Sequence, residues 1–426
     1  MIAHLQGRVR WALIVWLFVI SAVAYLDRVN ISLASHYIVK EYHLSNIQLG
    51  YIFSAFVLGY ALFQAPGGRL SDRYGPRRVI TFATIWWAVF TSLTTAIPRS
   101  ITGVVAAFVC VRFLLGAGEA VMFPASNRLV AKWIPTNERG RANGLIFAGV
   151  GAGPGIGPPL VTFIMMHGGW RLAFWLSGLV ELIIGSVWFW LARDNPEEHP
   201  WMSARELEVI RSGLPDSSDR AKGILPWGKI LRSKDFLLVT YSYFCYGYVA
   251  WIFFTWFFIY LSTVRGLNLR ESSYFATLPF IAMAICSPVG GVLSDWITRR
   301  YGKRWGRCGV AVVGIGLAAV FVASGSGVSS PRLASIVLAG GAGALYLSQS
   351  TFWSVTADIA GASAGAASGV MNMGGQIGGA VTATLTPLIA SRFGWGASFG
   401  LAAFLCATGA LAWLLVDPDR QLTQEE

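Results

Sequence analysis

The sequence predicts an all-α membrane protein of twelve transmembrane helices, arranged as two six-helix bundles related by pseudo-twofold symmetry. Three observations predict it. Hydrophobic residues make up 55% of the chain and charged residues 13%. Long apolar windows recur with few charges, as membrane-crossing helices require, and they are continuous rather than alternating, which argues against a β-barrel. Gly67-Gly68-Arg69-Leu70-Ser71-Asp72-Arg73 returns 223 positions later as Gly290-Gly291-Val292-Leu293-Ser294-Asp295-Trp296. Both copies end an apolar segment and are followed by arginines, the pattern left by an internal duplication. The third observation is where the charge falls.

Taken in order, the spans read 11–35, 47–68, 77–97, 101–127, 140–166, 170–192, 236–263, 272–297, 305–325, 332–358, 362–390 and 395–416. With the basic residues at span edges (Arg77, Arg78, Arg141, Arg171, Arg307 and Arg332) counted with their adjoining loops, 24 of the 33 Lys and Arg lie on the side of the two termini, 7 on the other side and two, Arg28 and Arg112, deep inside spans. The positive-inside rule then puts both termini in the cytoplasm, in a cell or inner membrane. The formal net charge of +12 is explained by topology and anionic lipid, so no nucleic-acid partner is called for. The first apolar run is too long for a cleavable signal, carries Asp27-Arg28 and lacks a small-residue cleavage site.

The longest hydrophilic stretch runs from Arg193 to Asp235 and contains Pro196, Pro200, Pro215 and Pro226. It divides the chain into an N-terminal bundle (1–192), a linker (193–235) with a short amphipathic helix near Ser203–Ser212, and a C-terminal bundle (236–426), the halves meeting near residue 215. A second echo, Ala142-Asn143-Gly144-Leu145 against Ala367-Ser368-Gly369-Val370, extends the repeat to spans five and eleven. In span five Gly149, Gly153 and Gly157 recur every four residues, so a neighbouring helix can approach closely. Pro154, Pro158 and Pro159 predict a kink there. No phosphate-binding glycine loop is present. Cys110, Cys245, Cys286, Cys308 and Cys406 lie in or beside spans without metal or disulfide spacing. His4, His36, His43, His167 and His199 fall in termini or loops, so no catalytic constellation is expected in the spans, and the chain is read as a non-enzyme. No cofactor and no metal are expected, and the protein is expected to be a monomer in the bilayer.

Charges inside spans are costly, on the order of 3 kcal/mol each by insertion scales, and so mark function or pairing. They are Asp27, Arg28, Arg112, Glu119 and Glu181. Asp27 and Arg28 are adjacent and point about 100° apart on a helix. Tyr25, Arg28 and Ser32 form one polar face, and Asp27 turns to another helix. A guanidinium at this depth can grip a substrate carboxylate through a fork of donors, or pair with a carboxylate to close the bundle. Arg112 and Glu119, seven apart, share a face about 10 Å apart along the axis. Desolvation favours the neutral form of Glu119 and a nearby arginine the charged form; that competition suits a proton carrier. Glu181 is read as lining a water pocket or pairing across helices. Tyr60/Gln64, Asn372/Gln376, Ser350/Trp353 and Tyr243/Tyr246 are polar or aromatic pairs three or four apart, each on one face. If they face a central cavity, they supply hydrogen bonds and a wall for a small polyhydroxy ligand.

The stretch Gly68-Arg69-Leu70-Ser71-Asp72-Arg73-Tyr74-Gly75-Pro76-Arg77-Arg78 resembles the signature loop between helices two and three of the major facilitator superfamily, with Pro76 where many members carry a basic residue. Within it, Tyr25-Leu26-Asp27-Arg28-Val29-Asn30-Ile31-Ser32 and Arg112-Phe113-Leu114-Leu115-Gly116-Ala117-Gly118-Glu119-Ala120, followed by Phe123-Pro124-Ala125, are similar to the anion:cation symporter family. That family includes bacterial carriers of hexonates, hexuronates, aldarates and phthalate, and is related to sialin and the vesicular glutamate carriers. The resemblance implies proton-coupled symport of a small organic anion, most simply a sugar acid, by alternating access. It implies that Arg28 holds the substrate carboxylate, that Asp27 and Glu119 take up the coupling protons, and that Tyr25, Tyr60, Gln64, Ser350, Trp353, Asn372 and Gln376 line the site. It further implies that Asp72 with Arg73, Arg77 and neighbouring charges forms a gate stabilising the outward-open state; Arg112 and Asp295 are assigned to the same structural class. Sodium stays open as the coupling ion. Gly149-Val150-Gly151-Ala152-Gly153-Pro154-Gly155-Ile156-Gly157-Pro158 is similar to the helix-five motif of drug–proton antiporters, which keeps exchange open as an alternative to symport.

Overall fold

The computed structural model describes residues 8–99, 102–214 and 225–422; the expected meeting point of the halves near residue 215 lies outside them. The described residues make twelve helical passes: α1 (Val9–Tyr42), α2 (Asn46–Tyr74), α3 (Pro76–Leu93), α4 (Val104–Trp133), α5 and α6 (139–168 and 170–191), α7 (Lys234–Thr255, continued to 264), α8 (Leu269–Tyr301), α9 (Arg304–Gly327), α10 (331–360), α11 (Ala364–Phe393) and α12 (Trp395–Leu415). Nine stretches among the described residues are long and apolar enough to cross a membrane on composition alone. The difference arises because Pro331–Phe393 reverses at Gly361, and because polar residues near the starts of α3 (Arg77, Arg78) and α5 (Arg139, Arg141, Asn143) dilute their hydropathy. Large apolar side chains such as Phe82, Phe163, Val320 and Phe404 stand exposed on the outer wall, as lipid contact allows.

The duplication is visible in backbone dihedrals. Gly75, between α2 and α3, has φ 88° and ψ 147°, and its counterpart Gly302, between α8 and α9, has 86° and 168°. Gly169, between α5 and α6, has 77° and 167°, and Gly394, between α11 and α12, has 83° and 163°. This region is essentially closed to residues with a Cβ, so each half turns the same corners with the same residue. Through the proline run α5 stays helical, and the turn into α6 falls at Gly169. His36 and His167 lie in helices rather than loops, because α1 and α5 extend beyond their apolar cores. Helix α4 is interrupted by turn residues at 120–121, and its counterpart α10 at Ser348. Both interruptions fall at mid-span.

Helix α1 packs on α5 through glycines. A Cβ at Gly149 would meet Phe18 and Ser21, and one at Gly153 would meet Ala22, Tyr25 and Leu26. This close approach fixes the rotation of α1. The bundles meet along two helix pairs, α5 with α8 and α2 with α11. In the linker, helix Ala204–Ser212 is capped by Ser203. Its Glu206 accepts from the free backbone N–H groups of Val9 and Arg10 at the start of α1, both at 3.1 Å. An acidic side chain there suits the positive end of the α1 dipole. The even number of passes brings the first and last described residues, Arg8 and Leu422, to one face, called the terminal face below.

Candidate functional site

The repeated glycine–aspartate motif acts through helix ends. A Cβ at Gly68 would strike the Gly365 carbonyl, and one at Gly291 the Gly140 carbonyl. Only glycine lets these backbones touch across the two halves. One turn further on, Asp72 accepts from the backbone N–H of Gly365 (3.0 Å) and Ala366 (2.7 Å), free donors at the buried N-terminus of α11. Asp295 does the same for Gly140 (2.8 Å) and Arg141 (2.7 Å) at the start of α5. Each half thus caps a helix of the other. Arg128 approaches Asp72 at 3.5 Å, Arg307 binds Asp295 at 2.8 Å, and Arg139 of α5 pairs with Asp358 of α10. Of the expected gate arginines, Arg73 is exposed over the Tyr74 ring, and Arg77 donates to Phe189 O within its own bundle; neither reaches the opposite half. Arg128, Arg139, Arg141 and Arg307 were not anticipated, although Arg139 and Arg141 directly precede the repeated Ala142-Asn143-Gly144-Leu145.

The two aspartate side chains are equally buried, but the clasps differ at the arginine: Arg128 stays partly exposed and 3.5 Å from Asp72. Asp295 and Arg307 are both fully buried, so Asp295→Ala leaves an unpaired buried cation at a cost of about 3–5 kcal/mol. Asp72→Ala loses chiefly a helix cap, about 1–2 kcal/mol. The thermal midpoint of purified protein is therefore expected to fall further for Asp295→Ala. Equal falls would contradict this ranking.

With the terminal face closed, a cavity of about 2010 Å³ opens on the opposite face. It is lined mostly by apolar and aromatic groups from both bundles, including Phe56, Phe123, Tyr243 and Phe254. Arg28 and Arg112 line its wall. The Arg28 side chain is 14% exposed and is not sealed between helices. Its Nε donates to Glu119 Oε1 at 2.7 Å and its Nη2 lies 2.5 Å from the same oxygen. The guanidinium sits over the rings of Tyr25 (4.2 Å) and Tyr60 (4.4 Å), so two aromatic faces hold it in place. Arg112 packs against Phe56 at 4.7 Å and has no carboxylate within 4 Å among the described residues. The turn at 120–121 directly follows Glu119, and the ion partner of Glu119 is Arg28 rather than Arg112, its neighbour on the same helix.

Asp27 points away from the cavity, as the angle between adjacent residues requires. Its Oδ1 accepts from Asn30 (2.9 Å) and its Oδ2 from the Thr91 hydroxyl of α3 (3.2 Å). Asn30 also reaches Ser177 of α6 at 2.7 Å. Tyr25, Tyr60, Asn372 and Gln376 line the cavity with Arg28. Gln64, Ser350 and Trp353 lie beneath its surface: Gln64 accepts from Asn372 (2.8 Å), Trp353 donates to the Tyr243 hydroxyl (3.3 Å), and Ser350 is buried. The i, i+4 rule puts Gln64 on the face of Tyr60 but does not give its depth. Here α11 covers the inner turn. Sequence reasoning did not single out Gln349 and Tyr346, which also line the cavity, nor Thr91 and Ser177. Ser177, four residues before Glu181, carried the usable signal.

On the face opposite the termini a second charged cluster ties α1 to α6. Beyond the span proper, Glu41 accepts from Arg171, Trp170 and Arg99. The Arg171 hydrogen bond, ahead of the others, holds its carboxyl down to about 2.

Comparison with known proteins fits this geometry. Residues 17–383 match the Major Facilitator Superfamily. The chain is 36% identical over 398 residues to a probable sulfoacetate transporter of Cupriavidus necator, covering 93% of this chain and 91% of that one. It is 32% identical to a probable galactarate/D-glucarate transporter of Escherichia coli K12 (88% and 85%) and 31% to a chloroplastic ascorbate transporter of Arabidopsis thaliana (95% and 74%). The fold is shared with a proton:xylose symporter (TM-score 0.74, 15% identity, 98% of both chains) and with a fucose transporter in its outward conformation (0.69, 15%, 97% and 99%). These relatives are transporters, not enzymes, and the chain belongs to the Major Facilitator Superfamily.

Proposed function

We propose that the protein is a proton-coupled symporter of a small organic anion that works by alternating access, with both termini in the cytoplasm. The basic terminal face supports that orientation, so the cavity faces outward here. The observation that carries the reading is Arg28 on the wall of a cavity that opens to one side, held there by the buried Glu119. An incoming carboxylate or sulfonate takes the guanidinium that Glu119 now holds. Glu119 then stands buried without its cation, which is costly, and a proton relieves the cost. Anion and proton binding thus favour each other, and linkage makes the effect reciprocal. Asp72 and Asp295 hold the cytoplasmic side shut until the loaded carrier turns.

Tyr60 against Arg28 and Asn372 and Gln376 lining the same cavity, together with the galactarate/D-glucarate relative, support a sugar acid. The 36% identical relative supports a short sulfonate. A thermal-shift panel of sugar acids, dicarboxylates, sulfoacetate and aromatic acids ranks them. Transport is tested in proteoliposomes with the best-ranked anion. Symport predicts accumulation driven by an inward proton gradient, as well as counterflow without one. Counterflow with no response to the gradient would favour exchange instead.

A further inference from the structure

We propose that Glu181 is an additional proton-binding site, exchanging its proton with Asp27 through the Thr91 hydroxyl. This rests on the symport reading and adds a group to it. Glu181 lies in α6, is fully buried, and has no hydrogen bond on either carboxyl oxygen. Its surroundings hold anions, not cations. Asp27 of α1 and Glu119 of α4 act on it electrostatically, and Ser177, one turn before it on α6, is tied to Asp27 through Asn30. The groups that α3 presents are neutral: Thr91, whose hydroxyl donates to Asp27 at 3.2 Å, comes near Glu181 without a hydrogen bond to it, and Ser92 and Thr84 pack on Gly178 and Gly185, which flank it on α6. Arg28 is engaged by Glu119, and Arg112 faces Asp27 and Glu119. Among the described residues no arginine, lysine or histidine pairs with Glu181.

A buried carboxylate without donor or cation is too costly to keep, so the group carries a proton. Asp27 is better provided: its oxygens accept from Asn30 and Thr91, so its carboxylate form is favoured over that of Glu181. One proton therefore serves two carboxyls with a hydroxyl between them. In the exchange, Glu181 gives its proton to the Thr91 oxygen while Thr91 passes its own to Asp27 Oδ2. Glu181 becomes the carboxylate, Asp27 becomes neutral, and no other bond changes. Asp27 has no place on the cavity wall, so the store beside it lies behind the substrate site rather than in it.

The test is infrared titration of the purified, reconstituted protein. A protonated-carboxyl band is expected in the wild type, absent in Glu181→Gln, with its midpoint displaced in Asp27→Asn. Gln matches Glu in shape and neutrality, so a merely structural protonated Glu181 would leave gradient-driven accumulation unchanged. The proposal expects accumulation in Glu181→Gln to fall, relative to counterflow, by at least about tenfold. It is overturned if Glu181→Gln removes no band, if Asp27→Asn leaves the midpoint in place, or if accumulation relative to counterflow is unaltered where the wild type is gradient-driven. A wild type indifferent to the gradient sinks the symport reading instead; the band and its Asp27 dependence then still decide whether Glu181 holds the proton.

Discussion

Arg28→Ala is expected to weaken anion binding on the order of 30-fold to several-thousand-fold, the loss that accompanies removal of one partner from a buried, hydrogen-bonded charge pair. The guanidinium lines the cavity, held over two tyrosine rings, with Glu119 on its other side. Binding is read by calorimetry with the best ligand of the thermal-shift panel. The substitution also strands Glu119, which could destabilise the protein by about 3–5 kcal/mol if it stayed ionised. Combining it with Glu119→Gln removes that charge, so the double variant is expected to recover the thermal midpoint without recovering binding. Arg28→Lys keeps the charge but not the planar fork, and an intermediate loss is expected. Wild-type affinity in Arg28→Ala would place the anion elsewhere, with Arg112 the first alternative.

Glu119→Gln is expected to separate binding from energy coupling. The amide can still accept from Arg28 but holds no negative charge, so the guanidinium is released to the anion without a proton. Affinity is then expected to become nearly independent of pH, counterflow to persist, and accumulation driven by a proton gradient to disappear. In the wild type the sign runs the other way. Affinity falls as pH rises, because ionised Glu119 competes for Arg28. Full gradient-driven accumulation in Glu119→Gln would remove Glu119 from the coupling.

The parts of this arrangement legible in the sequence are those that depend on spacing along one helix. The divergence of Asp27 and Arg28 follows from helix geometry. The glycine and aspartate of the repeated motif, one turn apart, already imply that a close approach and a charge act together. What the spacing does not carry is the identity of the neighbour across a helix–helix contact. Glu119 shares a helix with Arg112, yet it binds Arg28, because the glycine stripe of α5 fixes α1 and turns Arg28 toward α4. Gln64, Ser350 and Trp353 share faces with cavity residues but sit one layer deeper. Arg73 and Arg77 belong to the motif, but the cations on the buried aspartates are Arg128, Arg141 and Arg307. Glu181, expected to line a water pocket or to pair across helices, is fully buried with no ion partner among the described residues, because the groups near it on α1, α3 and α4 are acidic or neutral.

The most direct measurement is proton uptake on anion binding, followed with a pH indicator in weakly buffered solution. With the best-ranked anion above the wild-type midpoint, about one proton is expected to enter with each anion, and none in Glu119→Gln. Anion binding with no proton uptake at any pH would contradict the exchange of partners at Arg28.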